Sequence, residues 1–384
     1  MELVKVKEGS TAFFVPVQDA DTGFPPGTAA VFYNRRMELN RDATVLFCSS
    51  VDPTPKEYLD AMGATGVRGL RVAHECGIPV TINDRDLRAI DLIEKNIAST
   101  GCTIELLQRD ARALLSERRF DAVDLDPFGT PAPFVDAGAR GAGRYLFVTA
   151  TDTAPLCGAH LRAGMRRYFT RPMNTEYHAE VGLRTLLAFV AREVIKYDRG
   201  VEPLLCFSRE HFFRLHLRLV DGARAADRTL ARIGFVLQCP KCPCRQEFSG
   251  IIPERTACPH CGESLVPIGP LWLGSINDRT LLIRMREHLD GMELGTKKDL
   301  AKLMETCNEE LDTSSHYDYH AVSKWLKVSP PEIGTVLERL RGAGFAATRT
   351  HYSGYGIKTD APVDVISKAI SGDIWGGLRE VNAR

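Results

Sequence analysis

The chain lacks any hydrophobic run approaching about 18 residues, and its start carries no apolar stretch of the kind a signal peptide needs. The sequence therefore predicts a soluble protein of the cytoplasm that neither spans a membrane nor is secreted. It also lacks net charge: 49 Lys and Arg balance 49 Asp and Glu, so overall charge carries no nucleic-acid signal. There is no Gly-Lys-Ser/Thr element after a glycine-rich loop, which removes the usual phosphate cradle of nucleotide hydrolases. Internal repeats and low-complexity tracts are absent, which excludes solenoids and collagen-like assemblies. Eleven cysteines are present, but only four fall into clean pairs and the other seven are scattered, so a disulfide framework is not expected.

What is present, over 384 residues of which 44% are hydrophobic, is material for two or three domains. Residues 1–42 read as an irregular leader containing a Pro/Gly stretch at 24–28. From residue 56 to about 219 strand and helix alternate. Strands are expected at 56–62, 79–83, 104–108, 122–125 and 145–150, and helices at about 66–75, 87–98, 111–115 and 180–195. Two further strands, 204–208 and 213–219, close the series. Such alternation implies an α/β, Rossmann-like fold, a mainly parallel sheet covered on both faces, with the closing pair as an antiparallel edge.

The most informative residues are Asp124-Leu125-Asp126-Pro127-Phe128-Gly129, which run from the end of a buried strand into a tight turn. A carboxylate, a proline and an aromatic there suit the capture of a flat ring bearing an amino group. Asp126 accepts a hydrogen bond from an exocyclic amine, Pro127 fixes the turn, and Phe128 offers a π-face. Gly63, Gly66 and Gly69 follow the first strand. Glycines there either let a ligand approach the backbone or open the next helix in tight packing. Asp84 ends the second strand, where an acid binds ribose hydroxyls, and Asp110 with the Ala111 amide ends the third, where an adenine edge fits. Arg36 and Arg68 are cations suited to an amino-acid carboxylate. Carboxylates at successive strand ends suit a sulfonium nucleoside better than a dinucleotide, because no pyrophosphate needs binding. This is the class I S-adenosylmethionine methyltransferase architecture.

Cys239-Pro-Lys-Cys242 and Cys258-Pro-His-Cys261 form two C-x-x-C knuckles with 15 residues between them, a signature of structural Zn2+. Cys244 is a nearby fifth thiol able to replace a knuckle ligand, and His260 reads as a bystander. Beyond the knuckles, residues 320–326 and 331–342 read as helices and 345–358 as a hairpin, the outline of a winged helix or of a plain α+β unit. The expected division is a leader at 1–55 contributing to the cofactor site, a methyltransferase domain at 56–234, a zinc-binding segment at 235–268 and a C-terminal α+β domain at 269–384. Two basic clusters, Arg162/Arg166/Arg167/Arg171 and Arg224/Arg228/Arg232, have helix-like spacing and suit either phosphate binding or a solvated face.

The chain resembles the tRNA guanosine-26 N2-dimethyltransferases, the archaeal branch above all. The likeness rests on Phe32-Tyr33-Asn34, Asn40-Arg41-Asp42, Arg68-Gly69, Asn83-Asp84, Asp110-Ala111, Asp124 to Thr130 and the segment TATDTAPLCG at 149–158. Residues 347–351 and 356–362 also fit, and Arg35 departs from a usual proline. The resemblance implies that Arg36, Arg68, Asp84, Asp110 and Ala111 contact S-adenosylmethionine, that Asp126 is catalytic, and that tRNA is the partner. The turn alone also permits a DNA amino-methyltransferase, and the zinc segment a non-catalytic RNA-binding protein. The 149–158 segment argues against the first, and intact Asp84, Asp110 and Asp126 argue against the second.

Overall fold

A computed structural model describes residues 2–17, 31–253 and 256–373; the Pro/Gly stretch at 24–28 lies outside them. The chain opens with a hairpin, β1 (Leu3–Glu8) and β2 (Thr11–Pro16), then a 3-10 turn at Arg35–Met37 and helix α1 (Glu38–Ser50). The alternating region follows as β3 (Tyr58–Asp60), α2 (Val67–Cys76), β4 (Val80–Asp84), α3 (Leu87–Thr100), β5 (Ile104–Gln108), α4 (Ala111–Glu117), β6 (Phe120–Leu125), α5 (Ala132–Gly141) and β7 (Ala142–Ala150). Two short helices, α6 (Thr153–Leu156) and α7 (Leu161–Tyr168), precede the long α8 (His178–Ile195), the strand pair β8 (Arg199–Arg209) and β9 (Phe212–Asp221), and α9 (Ala223–Leu230).

These strands form one seven-stranded sheet in the order β5-β4-β3-β6-β7-β9-β8. The first five are parallel, and β9 lies antiparallel to both β7 and β8. Direction of winding reverses between β3 and β6, so the crevice at their carboxyl ends is where an open α/β sheet binds its ligand.

The described parts of the leader, residues 2–17 and 31–55, carry more regular structure than the sequence suggests. The hairpin is clamped to α3, since Asn96 accepts from the Phe14 amide (2.7 Å) and donates to the Phe14 carbonyl (3.0 Å). In α1, Asn40, Arg41, Asp42 and Thr44 are all buried, which hides the apolar periodicity that would announce a helix. Their burial is offset by partners: Arg41 pairs with Glu8, and Asp42 with Arg71 at 2.6 Å.

Past the main sheet, β10 (Ile233–Gln238), β11 (Arg245–Ser249) and β12 (Val266–Trp272) form a three-stranded sheet that carries the cysteine knuckles. Helices α10 (Arg279–Leu289) and α11 (Lys297–Glu309) then return to pack on α1, placing Leu282, Met285 and Met304 in the same core as Leu46 and Phe47. The last unit contains β13 (Tyr317–Asp318), α12 (Tyr319–Leu326), α13 (Ile333–Gly342), β14 (Ala347–Arg349), β15 (Gly356–Thr359) and α14 (Val363–Ser371), with its own apolar core. Helix, turn, helix and hairpin follow in the expected order. Among the described residues, no helix is long and apolar enough to cross a membrane.

A buried charge cluster fastens this last unit to the sheet domain. Glu180 on α8 accepts from Arg184 (2.9 Å), Lys358 on β15 (2.7 Å) and His316 (2.8 Å), and all four side chains are within the interior. These cations hold Glu180 well below the usual carboxylate range although burial pushes the other way. Glu180→Ala strands the buried Arg184 guanidinium and leaves Lys358 with Glu310 (3.1 Å) as its remaining counter-charge, and we expect it to destabilise the chain by about 3–5 kcal/mol, read as a lower urea midpoint. An unchanged midpoint would mean that Arg184 finds another counter-charge and that Glu310 suffices for Lys358.

Candidate active site

At the crevice lies a pocket of about 370 Å³. Its wall includes Arg68, Asp84, Asp110, Ala111, Asp126, Pro127 and Phe128. Seven of the eight residues expected from sequence around the cofactor and base thus share one cavity. Arg36 does not line it; it is exposed on the 3-10 turn, whose neighbours Asn34 and Met37 do.

The three glycines act mainly through packing. A Cβ on Gly63 or Gly69 would meet the Ile82 side chain of β4 at 2.5 and 2.6 Å, and Gly66 adopts φ +77°. The turn is therefore pressed onto β4, and α2 starts directly over the sheet. Asn83 then ties three strand ends together: its side chain donates to the Ala61 and Arg109 carbonyls (3.0 and 3.1 Å) and accepts from the Arg109 amide (3.0 Å). Beside it, Asp84 accepts from the Ala64 and Asp86 amides at 2.9 Å each, which fixes the carboxylate at the pocket wall. Asp110 caps α4 by accepting from the Arg112 and Ala113 amides, and its hydrogen bond from the Arg112 side chain holds its pKa down to about 2.

The Asp124-to-Gly129 turn is set by a charge network. Asp124 is fully buried, accepts from both Arg214 nitrogens (2.8 and 2.5 Å) and from the Tyr58 hydroxyl (2.5 Å), and lies 3.7 Å from Arg68. Burial alone would push it up; Arg214 and then Arg68 override that and keep it well below the usual range. Arg68 donates to Asn40 (3.0 Å), to Thr44 (2.9 Å) and to Asp126. Asp126 therefore faces the pocket, partly exposed, with its orientation held from behind. Phe128 is 70% exposed at the rim, edge-on to Phe32 with centroids 4.5 Å apart. Gly129 takes φ +74° and exchanges hydrogen bonds with Thr151 at 3.0 Å, joining the turn to the loop after β7.

Several site residues went unread in the sequence. Asp60 ends β3, lines the pocket and accepts from the Gly69 amide (3.0 Å). Burial pushes its pKa up to about 7, against Arg68, with Asp124 and Asp126 adding to the rise. Its position at a strand end just before the glycines was the available signal. Arg214 and Thr44 had none, because their elements lie far away in sequence.

The knuckle cysteines Cys239, Cys242, Cys258 and Cys261 converge, with sulfurs 3.5 to 3.8 Å apart for the hydrogen-bonded contacts. Tetrahedral Zn–S bonds of about 2.3 Å demand S–S separations of about 3.8 Å, so the four thiols fit a structural zinc. Cys244 stays outside this set and instead accepts the Cys239 amide through its carbonyl (3.0 Å). His260 pairs with Asp364 at 2.8 Å.

Fold and pocket together define a class I S-adenosylmethionine-dependent methyltransferase: acids at successive strand ends, no phosphate cradle, and an Asp-Pro-Phe turn at the switch point. The model of the N2,N2-dimethylguanosine tRNA methyltransferase family matches residues 11–371, and the chain belongs to that family. It is 63% identical over 372 residues to a tRNA (guanine(26)-N(2))-dimethyltransferase from Methanoregula boonei, covering 97% of this chain and 99% of that one. A protein of the same name from Methanoculleus marisnigri is also 63% identical over 372 residues, covering 97% of this chain and all (100%) of that one. The structure of Trm1 from Pyrococcus horikoshii with S-adenosyl-L-methionine superposes with a TM-score of 0.87 at 37% identity, over 96% of this chain and 100% of that chain.

Two outcomes follow. The folded-state pKa of Asp60 lies at about 7, above its ordinary 3.8. Its contribution to stability is thus full at low pH and is lost as pH rises to about 7. Asp60→Asn, which keeps an acceptor for Gly69, should melt above the parent at pH 8, with the gap shrinking toward pH 5; the scale is about 1.4 kcal/mol per tenfold change in proton affinity. Equal melting at both pH values would place Asp60 in an ordinary solvated state. For the knuckles, Cys258→Ser with Cys261→Ser should remove about one bound zinc per chain by elemental analysis. Full zinc retention would transfer the metal elsewhere.

Proposed function

We propose that this protein transfers methyl groups from S-adenosylmethionine to the exocyclic 2-amino group of guanosine 26 in tRNA, once and then again on the same nitrogen. The observation that carries this reading is Asp126, held by Arg68 beside the exposed ring of Phe128 at the switch point of the sheet. Names of highly identical relatives support the substrate.

In this reading Asp84 receives the ribose hydroxyls, while Asp110 and the Ala111 amide receive the adenine edge. Arg36 lies near enough in sequence to the pocket-lining Asn34 and Met37 to meet the carboxylate of the methionine part. Arg68 serves as the positioning residue for Asp126, because its guanidinium is already engaged with protein oxygens. When bound, S-adenosylmethionine supplies an electrophilic methyl on a positive sulfur.

The guanine amine is a weak nucleophile because its lone pair is delocalised into the ring. Asp126 accepts one N–H and a turn carbonyl the other, which orients the nitrogen and localises its lone pair. As the N–CH3 bond forms and the S–CH3 bond breaks, positive charge builds on nitrogen, where the Asp126 carboxylate stabilises it and takes the released proton. Pro127 keeps the turn shape, and stacking on Phe128 contributes about 1–3 kcal/mol to holding the base out of its helix. The zinc-bearing segment at 235–268 has a structural role, and the unit from β13 to α14, within the C-terminal region expected at 269–384, adds RNA-binding surface. In this reading the protein works in the cytoplasm, where its tRNA substrate is found.

Nucleoside mass spectrometry of an unmodified tRNA transcript incubated with the protein and S-adenosylmethionine should reveal N2-methylated guanosine. Asp126→Ala should retain cofactor binding by thermal shift while losing about 100-fold or more in methyl transfer. Full turnover by that variant would remove Asp126 from the mechanism, and methylated adenine or cytosine would overturn the substrate.

A further inference from the structure

Helix α7 follows β7 off the pocket edge of the sheet, and its end is fixed to the active-site turn. The Tyr168 hydroxyl contacts Thr130 Oγ1 (2.8 Å) and donates to Asp152 (2.6 Å). Thr130 stands two residues beyond Phe128. From the other side, Arg192 donates to the Tyr168 carbonyl at 2.5 Å and closes the helix.

What α7 shows to solvent is unusual. Leu161, Met165 and Phe169 are 40%, 50% and 72% exposed; four-residue spacing puts Leu161 and Met165 on one face of α7, and Phe169 is the residue that closes the helix. Phe169 has φ +48°, a left-handed conformation strained for a bulky residue, and its ring stands exposed. Arg162 and Arg166 form a second exposed face alongside, with Arg167 and Arg171 nearby. Residues 153–175 contain these four arginines and no Asp or Glu, in a chain of zero net charge.

The other basic cluster stands elsewhere. In the β7–β9 register Ala150 faces Phe213 and Tyr145 faces Arg218, so β9 runs away from the pocket edge. Helix α9, carrying Arg224 and Arg228, starts where β9 ends, at the opposite edge of the sheet. Of the two clusters, the one on α7 is tied to the active-site turn, through Tyr168 on Thr130.

We infer that α7 is the docking face for the tRNA stem flanking the target guanosine. This rests on the function proposed above and adds the surface that presents the substrate. Arg162, Arg166 and Arg171 neutralise backbone phosphates. Leu161, Met165 and Phe169 pack on sugars and on the base pair uncovered when guanine leaves the stack. Phe169 takes the place of the departed base on the helix side, while Phe128 receives that base on the pocket side.

The test uses the full chain and an unmodified tRNA transcript. Arg162→Ala with Arg166→Ala should raise the tRNA Kd about tenfold or more at near-physiological salt and flatten its salt dependence by one to two phosphates' worth, with S-adenosylmethionine binding unchanged. Phe169→Asn, a residue that tolerates the left-handed conformation, should keep the melting temperature and the tRNA Kd but lower kcat/KM about tenfold or more. Its fluorescence signal from 2-aminopurine placed next to the target should fall as well. Arg224→Ala with Arg228→Ala should bind tRNA as the parent does. An α7 pair with parental Kd and salt slope overturns the inference, as does an α9 pair that loses as much as the α7 pair. If the parent protein makes no N2-methylguanosine while the α7 pair still loses tRNA affinity, the docking face stands and the reaction assignment falls.

Discussion

The Asp124 carboxylate lies at the end of β6 with no access to water, gripped by both terminal nitrogens of Arg214 and by the Tyr58 hydroxyl, with Arg68 behind it. An anion so placed is tolerated only when paired, and removing one partner from such a pair typically costs 3–5 kcal/mol. Here two guanidiniums converge on one carboxylate. The cluster needs a second anion, and Asp126, two residues further along the same chain, supplies it through Arg68. The group proposed to do chemistry is thus also the group that completes the charge balance of a buried network. That coupling holds Asp126 in position without enclosing it, since its partner sits on the interior side while its open side faces the pocket.

The same network recruits chain segments that no alternating pattern would include. Thr44 on α1 accepts from Arg68 at 2.9 Å and from Arg214 at 2.8 Å, and Asn40 accepts from Arg68. Helix α1 is therefore part of the site although it precedes the sheet. Helices α10 and α11 cover its far side, and the Asp42 carboxylate accepts from the Thr296 amide and hydroxyl (2.9 and 2.7 Å). A disturbance in the segment after the zinc knuckles has a short physical route to the pocket: α11 start, Asp42, α1, Arg68, Asp126.

Much of the sheet domain was legible because its strands are short apolar runs and its helices amphipathic, which is the pattern a doubly covered parallel sheet imposes. The knuckle cysteines were legible from spacing alone. Legibility failed where polar residues point inward. In α1, Asn40, Arg41, Asp42 and Thr44 are buried, so a core helix reads as a charged leader. β1, with lysines at Lys5 and Lys7, is half-exposed, and its signal is as weak. Within the site, strand-end acids were visible one by one, but the arrangement that matters was not. Arg68 looked available for a ligand carboxylate, and only the fold shows how much of it is spent on Asn40, Thr44 and Asp126. Likewise Gly63 and Gly69, readable as ligand-approach glycines, owe their small size to Ile82 beneath them.

Topology also decides between features that sequence cannot rank. Both arginine clusters have helix-like spacing, so charge patterning treats them alike. The antiparallel return of β9 carries the second to the far edge of the sheet, whereas α7 follows β7 by way of the short α6 and is tied to the pocket turn through Tyr168. Around the pocket the molecule then divides its side chains by burial. Charges that shape the site, Asp124, Arg68 and Arg214, are interior, where low polarity makes each pairing strong and costly to break. Groups that would meet a large polyanion, Arg162, Arg166, Phe169 and Phe128, are exposed, where each can be released into water when the substrate leaves. Asp126 sits on the boundary, half-buried, anchored from the inside and reachable from the outside. The role proposed for Asp126, first orienting an amine and then shedding a proton to solvent, needs both conditions at once.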